Sequence, residues 1–187
     1  IFKKLKSLTK IIYYEKIIII DCISFFCFSA NAQFGASVGY GSGKATVDSE
    51  FGEITGDASG AFSIGLFYDA ELSDNFDLLP SIAFGIGEKV EDESNNSLAI
   101  GLGLQYYPTG KDGNFFIQPG VGLGFSLADE VEGLSSSIFS GSIGLGIDLS
   151  DNFTLIASYA TSLSDPSDVE GISISSNSFG AALLYKF

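Results

Sequence analysis

The chain has 187 residues, 23 acidic and nine basic, which gives a formal net charge of −14 at pH 7. Every basic residue is a lysine and histidine is absent. A basic surface for nucleic acid is therefore excluded. The length suits a single domain.

The first 32 residues differ in composition from the rest of the chain. Five of the nine lysines and both cysteines lie there, together with an apolar run from Ile17 to Phe28 and the tripeptide Ala30-Asn31-Ala32. A basic start, a short apolar core and an A-x-A site are typical of a cleaved signal peptide. We therefore expect residues 1–32 to be removed and residues 33–187 to form the mature domain. That domain would hold four lysines against 21 acidic residues, and no thiol for a disulfide or a metal.

Eight segments with period-two alternation follow, separated by turn-forming residues. Each segment places Leu, Ile, Val, Phe or Tyr on one face and small or polar residues on the other. The segments cover residues 34–46, 59–72, 76–89, 97–107, 115–128, 136–149, 153–163 and 176 onward. This spacing predicts β-strands, because none of the segments shows the three-and-four spacing of an amphipathic helix.

The face opposite the bulky residues consists mainly of glycine, serine and alanine, as in residues 99–103, 120–124 and 142–146. Small residues can line a narrow barrel while the bulky face turns to lipid. Strands of about 12 residues, tilted near 40°, span about the thickness of a bilayer core. We therefore predict an all-β fold, a closed eight-stranded antiparallel up-and-down transmembrane β-barrel. Pro80 and Pro119 lie inside two strands and are expected at bulges, because a closed barrel has no free edge.

Short and long connections alternate along the chain. Residues 72–76 and 149–153 both read Leu-Ser-Asp-Asn-Phe, which predicts tight turns, and the connection 108–114 is also short. The loops 47–58, 90–96, 129–135 and 164–175 are longer and acidic, a pattern typical of short periplasmic turns and extracellular loops.

The loop carboxylates are candidate ligands for divalent cations held between loops. The candidates are Asp48, Glu50, Glu91, Asp92, Glu93, Asp129 and Glu130. The alternative is a solvated acidic rim that only keeps the protein soluble.

The last strand ends on an aromatic residue. Phe179, Leu183, Tyr185 and Phe187 share its apolar face. This ending resembles the C-terminal strand of bacterial outer-membrane barrels, in which a final Phe and an aromatic residue two positions earlier are read by the barrel-assembly machinery. With the leader and the eight strands, the mature chain resembles the small outer-membrane β-barrels of the OmpA/OmpX type. That resemblance implies a monomer in the bacterial outer membrane, in contact with its lipid and lipopolysaccharide.

Five charged residues fall on the predicted interior face near the periplasmic end. They are Asp69, Glu71, Asp77, Asp148 and Lys186. A lone cation, Lys186, among acids predicts an internal ion-pair network. A cation-lined aqueous path is the alternative. An eight-stranded barrel is just filled by side chains, which favours the network, whereas the glycine-rich lining leaves space.

The absence of histidine bears on function. The enzymatic outer-membrane barrels that this chain resembles in size rely on an active-site His. We therefore predict no enzyme activity and no cofactor, and expect a structural or surface-interaction role. Two alternatives stay open. One is a small porin or narrow channel. The other is a soluble or lipid-anchored barrel that binds an apolar ligand, although tryptophan, and with it the Gly-x-Trp signature of lipocalins, is absent.

Overall fold

The computed structural model describes residues 33–88, 95–128, 134–167 and 169–187. The predicted signal peptide and parts of three acidic loops lie outside these ranges. The described strands are β1 (Gln33–Ser49), β2 (Gly52–Thr55), β3 (Ser59–Ser73), β4 (Phe76–Gly87), β5 (Asn96–Tyr106), β6 (Phe115–Ser126), β7 (Ser137–Asp148), β8 (Phe153–Ser162) and β9 (Ile172–Lys186). A short 3₁₀ helix covers Lys111–Gly113. In this part of the chain no helix is long and apolar enough to cross a membrane.

Eight of these strands form a closed antiparallel barrel. Strands β1 and β3 to β9 pair in chain order, and β9 returns to pair with β1 from Gly35↔Lys186 to Ser49↔Ile172. Closure removes free edges from the wall, as lipid requires. The predicted eight-stranded up-and-down barrel is confirmed. We call the end with Gln33, Lys186 and the short connections the turn end, and the opposite end the loop end.

One predicted loop contains a strand. Residues 47–58 were expected to be irregular, but β1 runs to Ser49 and the chain turns back into β2, which pairs with β1 from Thr46↔Thr55 to Ser49↔Gly52. Strand β9 likewise begins at Ile172, inside the predicted loop 164–175. The sequence signal was weak there because apolar alternation gives way to polar residues, although the backbone ladder continues.

The bulges expected at Pro80 and Pro119 are absent. The β3–β4 register is the same on both sides of Pro80, and the β5–β6 register is the same on both sides of Pro119. Each proline keeps a partner on its other side, Pro80 with Leu102 and Pro119 with Ile143. Proline has no N–H, so each one opens a gap in a single ladder. The wall absorbs that gap without shifting register.

The outside of the barrel is a band of exposed apolar side chains, which we call the belt. On β4 the belt runs from Phe76 to Ile86. That is about 33 Å along the strand and about 25 Å across a bilayer at a tilt near 40°. Cross-strand aromatic pairs border the belt, with ring centroids 4.9–5.0 Å apart: Phe34–Tyr68, Phe76–Tyr106 and Phe153–Tyr185 at the turn end, and Tyr40–Phe62 toward the loop end.

Candidate functional site in the barrel lumen

The lumen is filled at the turn end and lined by small residues toward the loop end. The filling is a cluster of six buried side chains, which we call the plug. The plug consists of Phe67, Leu79, Tyr107, Phe116, Ile156 and Leu184. Phe116 is 0% and Tyr107 1% exposed, and their rings pack 5.2 Å apart. The bulky inward residues thus concentrate at the turn end of the barrel.

Two wall glycines make room for the plug. A Cβ atom at Gly35 would collide with the ring of Phe67, and one at Gly146 would collide with the ring of Phe116. Rings are rigid, so a larger wall residue would displace them. Part of the glycine-rich face therefore exists to seat the plug.

A cavity of about 200 Å³ lies against the plug on the side of the loop end. Phe67, Leu79, Ile156 and Leu184 form its floor. Its walls include Ser37, Ser81, Gln118, Ser142 and glycines of β5 and β6. The described lining contains no charged side chain.

A row of hydrogen-bonded polar side chains lies in the lumen beside the plug. Gln118 Oε1 lies 3.1 Å from Gln105 Nε2, and Gln105 Oε1 lies 3.2 Å from Tyr107 Oη. Tyr107 Oη donates to Asp148 Oδ2 at 3.1 Å, and Thr154 donates to the other carboxylate oxygen. These residues lie on β6, β5, the segment after β5, β7 and β8. Buried polar groups are stable only when hydrogen-bonded, so the row fixes neighbouring strands to one another.

Tyr107, the tyrosine of this hydrogen-bonded row, has a raised pKa and stays protonated. Burial raises the pKa of Tyr107, and the nearby charges of Asp148 and Asp77 raise it further. The hydroxyl therefore remains a hydrogen-bond donor to Asp148 over the physiological range.

Two lysines neutralise acids at the turn end. Lys186 Nζ lies 2.7 Å from Asp69 Oδ2. Lys111 Nζ lies 2.9 Å from Asp77 Oδ1 and 3.1 Å from Glu71 Oε1. Burial lowers the pKa of Lys111, but the hydrogen bonds and charges of Asp77 and Glu71 outweigh burial and raise it. Lys186 is thus not the lone cation expected from the sequence, because Lys111 reaches the same end from a connection.

Lys111 belongs to residues 107–114, which we call the strap. At one end of the strap, Tyr107 N donates to Asn75 O at 2.9 Å, and Asn75 Nδ2 donates to Tyr107 O at 2.7 Å. At the other end, Asp148 N donates to Asn114 O at 2.7 Å. The strap is therefore fixed to the β3–β4 turn and to the end of β7.

The five predicted interior residues all lie at the turn end, but in separate groups. Asp148 makes no ion pair within the described ranges, and its partners are Tyr107 and Thr154. Sequence reasoning missed Tyr107, although period two could have found it: Tyr106 faces outward, so the next residue faces inward. Lys111 had no such signal, because the strap has no periodicity.

Only two of the candidate cation ligands can be placed. Asp48 lies near the end of β1 and Glu50 in the β1–β2 turn, and both are exposed. The remaining candidates lie outside the described residues: Glu91, Asp92, Glu93, Asp129 and Glu130. Where the structure describes the chain, no group of three or more His, Cys, Asp or Glu is arranged to hold a metal. Cation binding between the loops stays a prediction.

The residues of the predicted assembly signal share the outer face of β9. Phe179, Leu183, Tyr185 and Phe187 are all exposed there. Phe187 N donates to Phe34 O at 2.9 Å, so the terminal residue still belongs to the seam with β1. The aromatic side chains are therefore accessible while the backbone is held.

Comparisons with known proteins bear on the same part of the chain. The model of the family described as outer membrane protein beta-barrel domain matches residues 22–187. Similar solved structures include neisserial surface protein A, 17% identical with a TM-score of 0.49 over 81% of this chain and 97% of that chain. Others are the attachment invasion locus protein Ail of Yersinia pestis (16%, TM-score 0.44, 81% and 98%) and OprG of Pseudomonas aeruginosa (16%, 0.45, 83% and 96%). No curated protein matches the sequence.

Proposed function

The chain belongs to the outer membrane protein beta-barrel domain family, and we propose that in the bacterial outer membrane it is a non-enzymatic barrel with a sealed lumen and a structural or surface-interaction role. The turn end then faces the periplasm and the loop end the exterior. The belt argues against the soluble alternative, because a soluble barrel would expose a large apolar surface to water.

The plug is the observation that carries a sealed lumen. Tyr107 and Phe116 of the plug, and Gln105 and Thr154 beside it, are at most 1% exposed, and they fill the turn end across the barrel. An eight-stranded barrel has an interior just wide enough to be filled in this way. An ion would have to displace packed rings and the hydrogen-bonded polar side chains beside them to reach the periplasm.

The charged groups support the same interpretation. We propose that Asp69, Glu71, Asp77, Asp148 and Lys186, with Lys111, hold the turn end together. Asp69 and Asp77 are buried, so losing a lysine partner would leave a carboxylate charge uncompensated in a low dielectric. A transported cation would have to replace Lys111 or Lys186 to use Asp69, Glu71 or Asp77.

The non-enzymatic part of the proposal is supported by chemistry. The sequence has no histidine, and the acids clustered at the turn end are paired with lysines or with Tyr107 and Thr154. A general base must reach the proton that it abstracts. Among these carboxylates, those of Asp69 and Asp77 are buried and out of reach of a substrate.

Planar-bilayer recording tests the seal. We expect no steady conductance from the native protein, and steady conductance from the double variant Tyr107→Ala/Phe116→Ala, which empties the plug. The matched control is Tyr106→Ala/Phe115→Ala, which removes the same two ring types from adjacent outward positions. The control should stay silent. Steady cation-selective conductance of the native protein that Asp148→Asn abolishes would overturn the proposal.

That outcome would favour the alternative, a narrow channel for ions or small solutes. One observation supports this alternative. Between the plug and the loop end, the lumen is lined by glycine and serine and contains the cavity of about 200 Å³. Only the plug and the strap then separate the cavity from the periplasm.

We also propose that residues 1–32 are removed on export. The basic start, the apolar run from Ile17 to Phe28 and the tripeptide Ala30-Asn31-Ala32 support this proposal. N-terminal sequencing of the protein isolated from outer membranes should give Gln33 as the first residue. Lipopolysaccharide and the barrel-assembly machinery are the proposed partners, and a monomer the proposed state.

A further inference from the structure

The cavity against the plug has an apolar floor that offers water no hydrogen bonds. Four side chains of the plug form this floor: Phe67, Leu79, Ile156 and Leu184. Each of them is at most 7% exposed, so the floor is closely packed. Water over such a surface is poorly ordered, and an apolar group that displaces it gains affinity.

One polar side chain in the wall of the cavity has a free donor. Gln118 Oε1 accepts a hydrogen bond from Gln105 Nε2 at 3.1 Å, but in the described part of the chain Gln118 Nε2 has no partner. The amide group of Gln118 lies over Gly103, where a Cβ atom would come within 2.7 Å of Nε2. The glycine therefore leaves room for this amide group, and the bond to Gln105 fixes it beside the cavity.

The rest of the wall adds small polar groups. Ser37, Ser81 and Ser142 line the cavity, and within the described ranges no side-chain hydrogen bond uses their hydroxyls. The described lining holds no charged side chain. An ion in this space would lose its hydration without gaining a charged partner, so the lining favours a neutral molecule.

The volume of the cavity sets the size of that molecule. The cavity measures about 200 Å³. An engineered cavity of about 150 Å³ lined by aliphatic and aromatic side chains binds benzene. The cavity in this barrel can therefore hold a single six-membered ring with one polar substituent.

The lumen between the cavity and the loop end is lined by small side chains. Inward residues lie opposite one another there in the pairs Gly39↔Ser63, Ala83↔Ala99 and Gly122↔Ser140. Side chains of this size do not fill the lumen, whereas the plug fills the turn end. A ligand would therefore reach the cavity from the loop end.

We propose that the cavity is a binding site for a small neutral molecule that joins a ring-sized apolar body to a carbonyl or hydroxyl oxygen. The apolar body lies on the floor, against Phe67 and Ile156. The oxygen accepts a hydrogen bond from Gln118 Nε2. This inference goes beyond the structural role proposed above, because it gives the lumen a ligand that enters from the exterior.

NMR of the labelled protein in detergent micelles tests the proposal, with cyclohexanone as the probe. Its ring and carbonyl oxygen match the cavity. Saturable chemical-shift changes should appear at the amides of Gly101, Gly103 and Gly120, which line the cavity. Cyclohexylammonium, which has the same ring and a positive charge, should cause no saturable change at these amides.

A filled cavity localises the site. Ser81→Leu places a larger side chain in the cavity and should abolish the saturable changes. Ser42→Leu is the matched control, because Ser42 pairs with the outward-facing Phe179 and lies on the outside of the wall. The control should bind cyclohexanone like the native protein. Heat-modifiable gel mobility shows that each variant is folded.

A second variant tests the hydrogen bond. Gln118→Leu keeps the approximate size of the side chain and removes the donor. It should bind cyclohexanone about fivefold more weakly, as expected for one hydrogen bond. Cyclohexane, which has the same ring but no oxygen, should bind this variant at least as well as the native protein.

Three results would overturn the inference. They are shift changes confined to amides of the belt, which would mean partition into the micelle only, unchanged binding by Ser81→Leu, and saturable binding of cyclohexylammonium as tight as that of cyclohexanone. An equal loss of cyclohexanone and cyclohexane in Gln118→Leu would refute the hydrogen bond. The bilayer recording stays independent, because a silent barrel that binds no probe refutes only the ligand site, whereas a conducting native barrel refutes the sealed lumen.

Discussion

Wall glycines pack closely against the rings of the plug, and this packing determines which glycines tolerate a larger residue. Gly146→Ala should destabilise the protein by about 1–3 kcal/mol, because the added methyl group overlaps the rigid ring of Phe116. Urea unfolding in lipid vesicles measures the change. Gly124→Ala is the matched control, since its nearest neighbour would be Ile138 O at 3.9 Å. Equal unfolding midpoints for the two variants would contradict this packing.

The hydrogen bonds of Asp165 should make the local stability of the loop end depend on pH. Ser167 N and Ile174 N each donate to its Oδ1 at 2.9 Å, and these bonds lower the pKa of Asp165 below its ordinary value. A carboxyl group whose pKa is lower in the folded protein than in the unfolded chain stabilises the fold at any pH above its pKa in the unfolded chain. That stabilisation is lost as the pH falls through the pKa in the folded protein.

Hydrogen exchange measures this dependence. The protection factor of the Ile174 amide should fall as pH drops below about 4, and Asp165→Asn should lower protection already at neutral pH. The Ser126 amide, which donates to a backbone carbonyl at 2.8 Å, is the internal reference. Protection of Ile174 that stays constant with pH would refute the role of Asp165.

At the scale of single strands, the prolines leave gaps in the ladder that a substitution can close. The β3–β4 register places residue 80 opposite Tyr68, where the ladder is interrupted. Pro80→Ala supplies the missing N–H. The new hydrogen bond contributes about 0.5–1.5 kcal/mol, offset by about 0.4–1 kcal/mol of lost proline rigidity.

The free energy of unfolding should therefore change little for Pro80→Ala, while the new amide at position 80 becomes protected from exchange. Pro108→Ala is the control, since residue 108 is exposed in the strap and has no ladder to rejoin. Rapid exchange at both new amides would mean that the gap at residue 80 cannot close.

Strand faces and strand order could be predicted because lipid imposes a strict apolar alternation on the outside of the wall. Phe76 to Ile86 of β4 follows it, and so does the stretch from Phe179 to Phe187, which begins in β9. The pairing of residues 46–49 with β2 could not be predicted, since outside the membrane these residues need no apolar face. The contacts of Lys111 were also hidden, because they depend on where the strap crosses the turn end.

At the scale of the whole molecule, the predicted assembly signal at Phe187 allows folding to be tested separately from delivery to the membrane. The side chain of Phe187 is 68% exposed, and its backbone bond to Phe34 does not need the ring. Phe187→Ala should therefore refold in detergent like the native protein but reach the outer membrane in lower amount in cells. Phe62→Ala, with a similarly exposed ring on β3, is the control and should reach the membrane normally. Equal loss of both variants would refute a terminal assembly signal.

The belt makes the strongest prediction about the molecule in its membrane, because a charge costs more the deeper it lies in lipid. Ile82 is half-way up the belt on β4, whereas Leu72 lies at the turn-end rim of β3, and both are exposed on the outer face. Ile82→Arg should lower the free energy of unfolding in lipid vesicles by about 2–4 kcal/mol, and Leu72→Arg by about 0–1 kcal/mol. Unfolding by urea in vesicles measures the loss of free energy for each variant. In micelles, which fit around the protein more loosely, the two losses should differ less. Equal losses in vesicles would mean that the bilayer is not centred on the belt.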